Sequence, residues 1–358
     1  MNKISSRHYI FLLLSVSTIA LRSYSSIFIS DGGHNTWLLV IIAYLITLFI
    51  AILFFKKYIK LELYDFYSLL TYITPKIIGK ILLLLFCFGL YLNAIEATAT
   101  QTNSIHINFF INTPIWYCLI FFLIPSTYAI SRNFNTIVIT CIVTVTLVLI
   151  GDIIYLILIA KYIDFSNLLP ILKNIPLKNN LLCIIKLIGA SSCIFITLPF
   201  IHYITDSKKL ILNATLAIII TIFLISTALI SVIGFYGYEN AQNIYYPEYI
   251  LCQQIEIGDF FEFGEFFYIF RNVCLWFLKY IICSMGILFA FKDKIKNKTI
   301  FISLYTVIVF IASMILANNQ LYLFDKLNYL QYTNILTFLV VPVISLILIK
   351  NNKLNANA

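Results

Sequence analysis

Apolar runs recur along the chain at residues 9–29, 37–55, 77–101, 115–131, 137–160, 181–203, 210–236, 265–291, 299–317 and 333–350, with short polar segments between them. Most are long enough to cross a hydrocarbon layer about 30 Å thick. None shows the period-two alternation of a strand, and backbone in lipid must satisfy its own hydrogen bonds, so each run is expected to be a helix. No intervening segment is long, polar or Gly/Ser-rich enough to form a soluble domain or linker. The chain reads as an all-α membrane protein, a single polytopic membrane domain over 1–358 with ten transmembrane helices.

Two runs are interrupted. In the first, Thr18 to Ser26 reads TIALRSYSS, a polar and weakly helical patch around Arg22; in the sixth, Gly189-Ala190-Ser191-Ser192 is followed by Pro199. Non-helical backbone at membrane depth is tolerated where it lines a cavity. Breaks at matching positions of two five-helix halves, about 9–160 and 181–350, are the pattern of an inverted repeat with a ligand site near the midplane. Polar residues elsewhere fall into stripes. Asn93, Glu96 and Thr100 share one face of the third run, and Glu265, Asn272, Lys279 and Gly286 recur every seven residues along the eighth. Such stripes face the bundle interior, as a ligand site or as hydrogen-bonding glue between helices.

Composition supports the membrane reading. The chain is 61% hydrophobic and 11% charged, with a mean hydropathy of +0.97, against about 45–50% and 25% in soluble domains. Lys3 and Arg7 ahead of Tyr9–Leu21 have the outline of a signal peptide, but no small-x-small site follows and Arg22 interrupts, so a retained first span is expected. The net charge of +9 is unevenly spread. With the N-terminus cytoplasmic, sixteen Lys and Arg, from Lys3 to Lys350 and Lys353, fall on the inner side, against Lys161, Lys173, Lys178 and Lys326 outside. Both termini are therefore expected in the cytoplasm, and the basic residues line one membrane face rather than a nucleic-acid surface.

The eight cysteines sit mostly singly in apolar runs, with no CxxC or His-paired spacing, so no disulfide framework, metal site or cofactor is expected. His8, His34, His106 and His202 are scattered without a nucleophile or phosphate loop, which argues against an enzyme. Two outer segments, Asn167–Pro176 and Tyr245–Phe263, are too short to span; the second mixes Glu248, Glu256, Asp259 and Glu262 with aromatic rings, which suits a helix lying in the interface.

Within the runs lie Arg22, Glu96, Asp152, Lys186, Arg271 and Lys279. A charge at a helix centre costs about 2.5–3.5 kcal/mol on insertion scales, so such groups face a partner or a cavity unless they snorkel to the surface. Thr18, Arg22, Ser23, Asn93, Glu96, Gly189, Ser191, Ser192, Asn272 and Lys279 are accordingly the candidate ligand-binding residues. Unless Lys186 and Arg271 snorkel, cations outnumber anions in the interior. A ligand carboxylate facing Arg22 or Lys279 would restore balance, with Glu96 taking an amine and backbone N–H groups of a half-helix start near Gly189 adding donors. A structural Glu96–Lys279 or Asp152–Lys279 ion pair is the alternative.

Several strings occur in a recognisable order: ISSRHYIFLLL from Ile4, DGGHNTW before the second run, NTPI from Asn112, IDFSNLLPIL from Ile163, Tyr246-Pro247, and IEIGDFFEFGEFF from Ile255. Over about residues 4–350 they resemble the B subunits of spore germinant receptors, endospore germination permeases of the amino acid-polyamine-organocation transporter superfamily. The resemblance implies a five-plus-five inverted repeat with broken first and sixth helices. It also implies a small germinant, typically an amino acid, sensed with an A-type subunit and a lipoprotein C-type subunit in the spore inner membrane. Glu96 matches the family's acidic residue in the third span, Pro199 the proline closing the sixth, and Glu265 and Lys279 the Glu and Lys along the eighth. Departures cluster where ligand would bind: Ile19 and Leu21 replace glycines, Ser192 an acidic residue, Asn272 a tryptophan (Trp276 follows one turn later) and Phe263 an arginine. A secondary amino-acid or cation transporter would use the same fold, and a subunit kept for assembly alone is a third reading.

Overall fold

The structure is a computed structural model that describes residues 4–60, 65–72, 76–171, 176–257, 261–262 and 264–348. Lys3, Lys173, Asp259, Phe263, Lys350 and Lys353 lie outside the described residues. The described parts of the ten apolar runs fall mainly on helix. In chain order the helices are α1 (Ser6–Ser17), α2 (Ile19–Ser23), α3 (Ser26–Gly32), α4 (Thr36–Lys60), α5 (Phe66–Tyr72), α6 (Lys76–Asn108), α7 (Ile115–Ser131) and α8 (Phe134–Ile159). They continue as α9 (Leu177–Ser191), α10 (Leu210–Tyr236), α11 (Tyr238–Ala241), α12 (Pro247–Gln253), α13 (Gly264–Ala290), α14 (Lys298–Ala317), α15 (Gln320–Asn334) and α16 (Val341–Leu348). Eight helical stretches among the described residues are long and apolar enough to cross a membrane, and α7 is a shorter apolar helix. Exposed Ile, Leu and Phe such as Phe49, Leu84, Ile124, Ile157 and Leu304 cover the outside of the bundle, as lipid rather than water requires.

The first run is divided into α1, α2 and α3, with a bend at Thr18 and non-helical backbone at Tyr24 (φ −125°, ψ 48°). The Ser17 carbonyl, at the end of α1, accepts the Tyr44 hydroxyl at 3.0 Å, so the break leaves that group satisfied inside the bundle. The sixth run does not unwind. It tightens after Ser191 into a twelve-residue 3-10 stretch, Ser192–Tyr203, that contains Pro199, far longer than the usual three or four residues. A third irregularity is a π stretch, Ile335–Val340, between α15 and α16. Pro342 follows it; a proline lacks the N–H and crowds the carbonyl four residues back, which disrupts α-helical bonding at that turn.

At the centre α13 lies against α6, and α1 packs on α8, α10 and α13. The segment after α10, expected in the interface, is packed into the bundle over its α12 part. Pro247 opens α12, and Tyr246, Glu248, Leu251 and Cys252 are buried against the bundle. The helix packs on α13, α10 and α2. Gly264 lets the end of α12 approach α13: a Cβ there would meet the Cys252 carbonyl oxygen at 1.9 Å. A short antiparallel pairing of Glu256–Ile257 with Phe261–Glu262 bridges the two helices. The other segment docks by Asn167, whose amide donates to the Gly234 carbonyl at 2.8 Å.

Candidate functional site

Charge is the feature that organises the interior. The Lys279 ammonium lies 2.7 Å from Glu96 Oε2, and these residues are 0% and 2% exposed. Tyr24, at the break after α2, donates its hydroxyl to Glu96 Oε1 at 2.5 Å and receives the Gln331 amide at 3.4 Å. The Trp276 ring, one turn before Lys279, holds the ammonium 5.3 Å from its centroid and stacks on Tyr24. Three helices and one break thus converge on a single ion pair.

A second network sits beside it. Ser23 donates to Asn272 Oδ1 at 2.9 Å, and the Trp276 indole N–H donates to the same oxygen at 3.0 Å. The Asn272 amide donates to Gln101 Oε1 at 2.9 Å. Next to the ion pair, where the Cys193 sulfur lies 4.0 Å from the Lys279 ammonium, Asn93 donates to Asn334 Oδ1 at 2.8 Å, and Cys193 donates to Asn93 Oδ1 at 3.5 Å. Ser192 donates to the Asn334 carbonyl at 3.1 Å, at the start of the π stretch.

A third cluster is a quartet of charges. Arg22 Nη1 meets Asp152 Oδ2 at 2.7 Å and Arg22 Nη2 meets Glu248 Oε1 at 2.8 Å. Arg271 Nη1 meets Asp152 Oδ1 at 3.2 Å and its Nη2 meets Glu248 Oε2 at 2.7 Å. Each carboxylate bridges both guanidiniums with one oxygen to each, and each Arg divides its planar fork between the two anions. All four side chains are at least nine-tenths buried.

Of the sequence-derived candidates, Ser23 with Asn272, Glu96 with Lys279, and Asn93 with Ser192 through Asn334 are brought together around one region. Arg22 is turned to the quartet. Thr18 and Ser191 are buried but face elsewhere: the Thr18 hydroxyl donates to the Leu14 carbonyl and that of Ser191 meets Thr47 at 2.6 Å. Gly189 is not at a half-helix start, because α9 runs through it to Ser191. It permits close approach instead, since a Cβ there would lie 2.0 Å from the Gln331 carbonyl oxygen.

The expected surplus of interior cations is corrected as well. Arg271 does not snorkel but joins the quartet, Lys186 pairs with Asp31, and Glu248 comes in from the outer segment. Four cations meet four anions. Tyr24, Gln101, Trp276, Gln331, Asn334 and Glu248 were not among the candidates. Two oxygens, Thr100 Oγ1 one turn after Glu96 on α6 and Gln331 Oε1 on the side chain that bonds Tyr24, are buried without a hydrogen-bond partner among the described residues, and a cleft of about 400 Å³ between α6, α14 and α15 reaches Glu96.

The family model described as "Spore germination protein" matches residues 3–321. Among solved structures, that of a manganese transporter mutant from Eremococcus coleocola is similar, with a TM-score of 0.61 and 12% sequence identity over 96% of this chain and 78% of that one. At that identity the similarity concerns the fold. No curated protein sequence matches the chain.

Proposed function

Because the chain belongs to the spore germination protein family, a family of multi-pass membrane permeases, we propose that it is the membrane subunit of a germinant receptor that binds an amino-acid-like nutrient at Glu96 and Lys279. The buried Glu96–Lys279 pair carries this reading. A zwitterion is complementary to an ion pair: its ammonium can replace Lys279 at Glu96 while its carboxylate replaces Glu96 at Lys279. The exchange leaves no charge unpaired, which is what a low-dielectric site demands. Thr100 and Gln331 supply the unspent oxygens for a further ammonium proton, while Asn272, Ser23 and Trp276 set the shape above the site. Binding that separates α6 from α13 would favour one conformation over another, and differential affinity for two states is the physical basis of a signal. In this reading A-type and lipoprotein C-type subunits receive it in the spore inner membrane, and both chain ends face the cytoplasm.

The test is the charge-conserving double substitution Glu96→Gln with Lys279→Met. Purified natural chain should be stabilised against heat by a mixture of the common L-amino acids, and the double variant should not be, although it accumulates normally. Spores carrying it should lose the germination response. A normally abundant variant with unchanged stabilisation and response would remove the pair from the ligand site. Uptake of labelled amino acid by vesicles holding this chain alone would turn the reading toward a secondary transporter.

A further inference from the structure

Three of the quartet's members stand on the long helices or the first-run break, but Glu248 arrives on α12, seven residues long. Its two oxygens divide between Arg22 and Arg271 at 2.8 and 2.7 Å. That geometry uses only a carboxylate group, so any small carboxylate could reproduce it. We propose that Arg22 and Arg271 form an outer carboxylate-binding site, filled in this structure by Glu248, and that a ligand carboxylate takes the place of Glu248 and frees α12 from the bundle. The proposal rests on the reading that the ligand bears a carboxylate.

Charge selects the ligand class. With Glu248 present, two cations face two anions; if Glu248 left alone, one buried positive charge would remain unpaired, which is strongly unfavourable. An arriving carboxylate restores the balance, whereas an amide or alcohol of the same shape does not. Asp152 is not the group that leaves, because it stands on the 26-residue α8, held against α1 and α13. The site also has donor capacity to spare: the Nε–H groups of Arg22 and Arg271 are buried with no acceptor among the described residues. Arg22 is followed directly on the chain by Ser23 and Tyr24, which touch Asn272 and Glu96. The outer site is therefore tied to the inner ion pair through three consecutive residues.

Cys252, buried on α12, is a built-in reporter. The full chain in detergent is exposed to a maleimide and modification at Cys252 is followed by peptide mass spectrometry, which separates it from the other thiols. The Glu248→Gln variant should label about tenfold faster or more without any ligand, as a local opening equilibrium shifts. In the natural chain the mixture of common L-amino acids should accelerate labelling, and the mixture of their C-terminal amides should not. Amides acting as strongly as acids, or acids without effect, would overturn the site. If Glu248→Gln fails to accumulate, the comparison of acids with amides in the natural chain decides alone. The inner-site reading fails separately. Acids that stabilise the natural chain through Glu96 and Lys279 yet leave Cys252 protected sink only the outer site, and acids that open Cys252 yet stabilise the double variant equally sink only the inner one.

Discussion

Replacing Lys279 alone with Met should be among the most damaging single changes in the bundle. The variant leaves the Glu96 carboxylate, 2% exposed, with the Tyr24 hydroxyl as its remaining donor among the described residues, at 2.5 Å. Removing one partner of a buried ion pair costs about 3–5 kcal/mol, because the other charge stays uncompensated. The lower end applies here, since in a bilayer the unfolded chain also finds partners for its polar groups. Glu96→Gln should cost about as much by leaving the ammonium near Trp276 and the Cys193 sulfur. The double variant removes both charges and should recover most of the loss, because a neutral pair of similar volume is often as stable as a buried ion pair. Reversible unfolding of the four proteins in mixed detergent gives the coupling energy, expected at about 5 kcal/mol, a factor of several thousand in the folding equilibrium. Singles that match the natural chain, or that add without coupling in the double, would refute a desolvated pair. The reasoning behind the inner ligand site would fall with it.

Three further outcomes follow from particular contacts. Gly189→Ala places a Cβ 2.0 Å from the Gln331 carbonyl oxygen and should destabilise the chain by about 1–3 kcal/mol, whereas Gly151→Ala, whose nearest contact is 3.6 Å, should be tolerated; equal thermal stability of the two would contradict the close approach of α9 and α15. Introduced cysteines at Glu239 and Lys294 should label from opposite faces of the membrane, the first from outside, and outside labelling of the second would reverse the expected orientation. Asp206 is partly desolvated, but donation from the Ser6 hydroxyl and backbone N–H outweighs this and holds its carboxyl below the ordinary value of 3.8. Its folded state thus binds protons less readily than its unfolded state, so its contribution is present above about pH 4 and fades as pH falls through the lowered value. Amide protection at the start of α1, taken relative to the intrinsic exchange rate at each pH, should fall below about pH 4 in the natural chain, and Asp206→Asn should remove that dependence; a loss of protection surviving in the variant would assign it to another group.

The helices were legible because lipid imposes one rule on every span, and apolar runs record it directly. The stripes were legible for a related reason: Asn93, Glu96, Asn272 and Lys279 repeat with helical spacing, and all are buried inside the bundle. Glu248 was not legible. A glutamate among Tyr245, Tyr246 and Tyr249 reads as an interfacial residue, and only the tertiary placement of α12 between α10 and α13 brings it to the arginines. That one misplaced anion, with Asp31 for Lys186, produced the false surplus of interior cations. Gln331 was hidden by a boundary: the last apolar run reads as starting at residue 333, while the helix starts at Gln320. Tyr24 gave no signal because a tyrosine in an apolar run is ordinary, and its hydroxyl matters only where the backbone breaks. Gly189 was assigned a role by composition; a small residue before a helix break and a small residue under a crossing carbonyl look alike in sequence.

The two charged clusters are linked by a very short helix. α2 has five residues and is bounded by the bend at Thr18 and the non-helical Tyr24, so it can turn about two joints without dragging a long helix with it. Its consecutive side chains engage different neighbours: Arg22 holds α8 and α12 and Ser23 holds α13, while Tyr24 just beyond it holds Glu96 on α6. Replacing Glu248 at Arg22 removes the tie to α12 while leaving the tie to Asp152. Parting Glu96 from Lys279 disturbs Tyr24 and, through the shared backbone, Ser23. A displacement of α2 that suits one exchange therefore alters the geometry of the other. Coupling of this kind needs no long chain of contacts, only one small element whose position both sites bias. In a receptor it would make occupancy of the inner site and release of the outer helix parts of one transition, with each favouring the other by the same factor, as linkage requires.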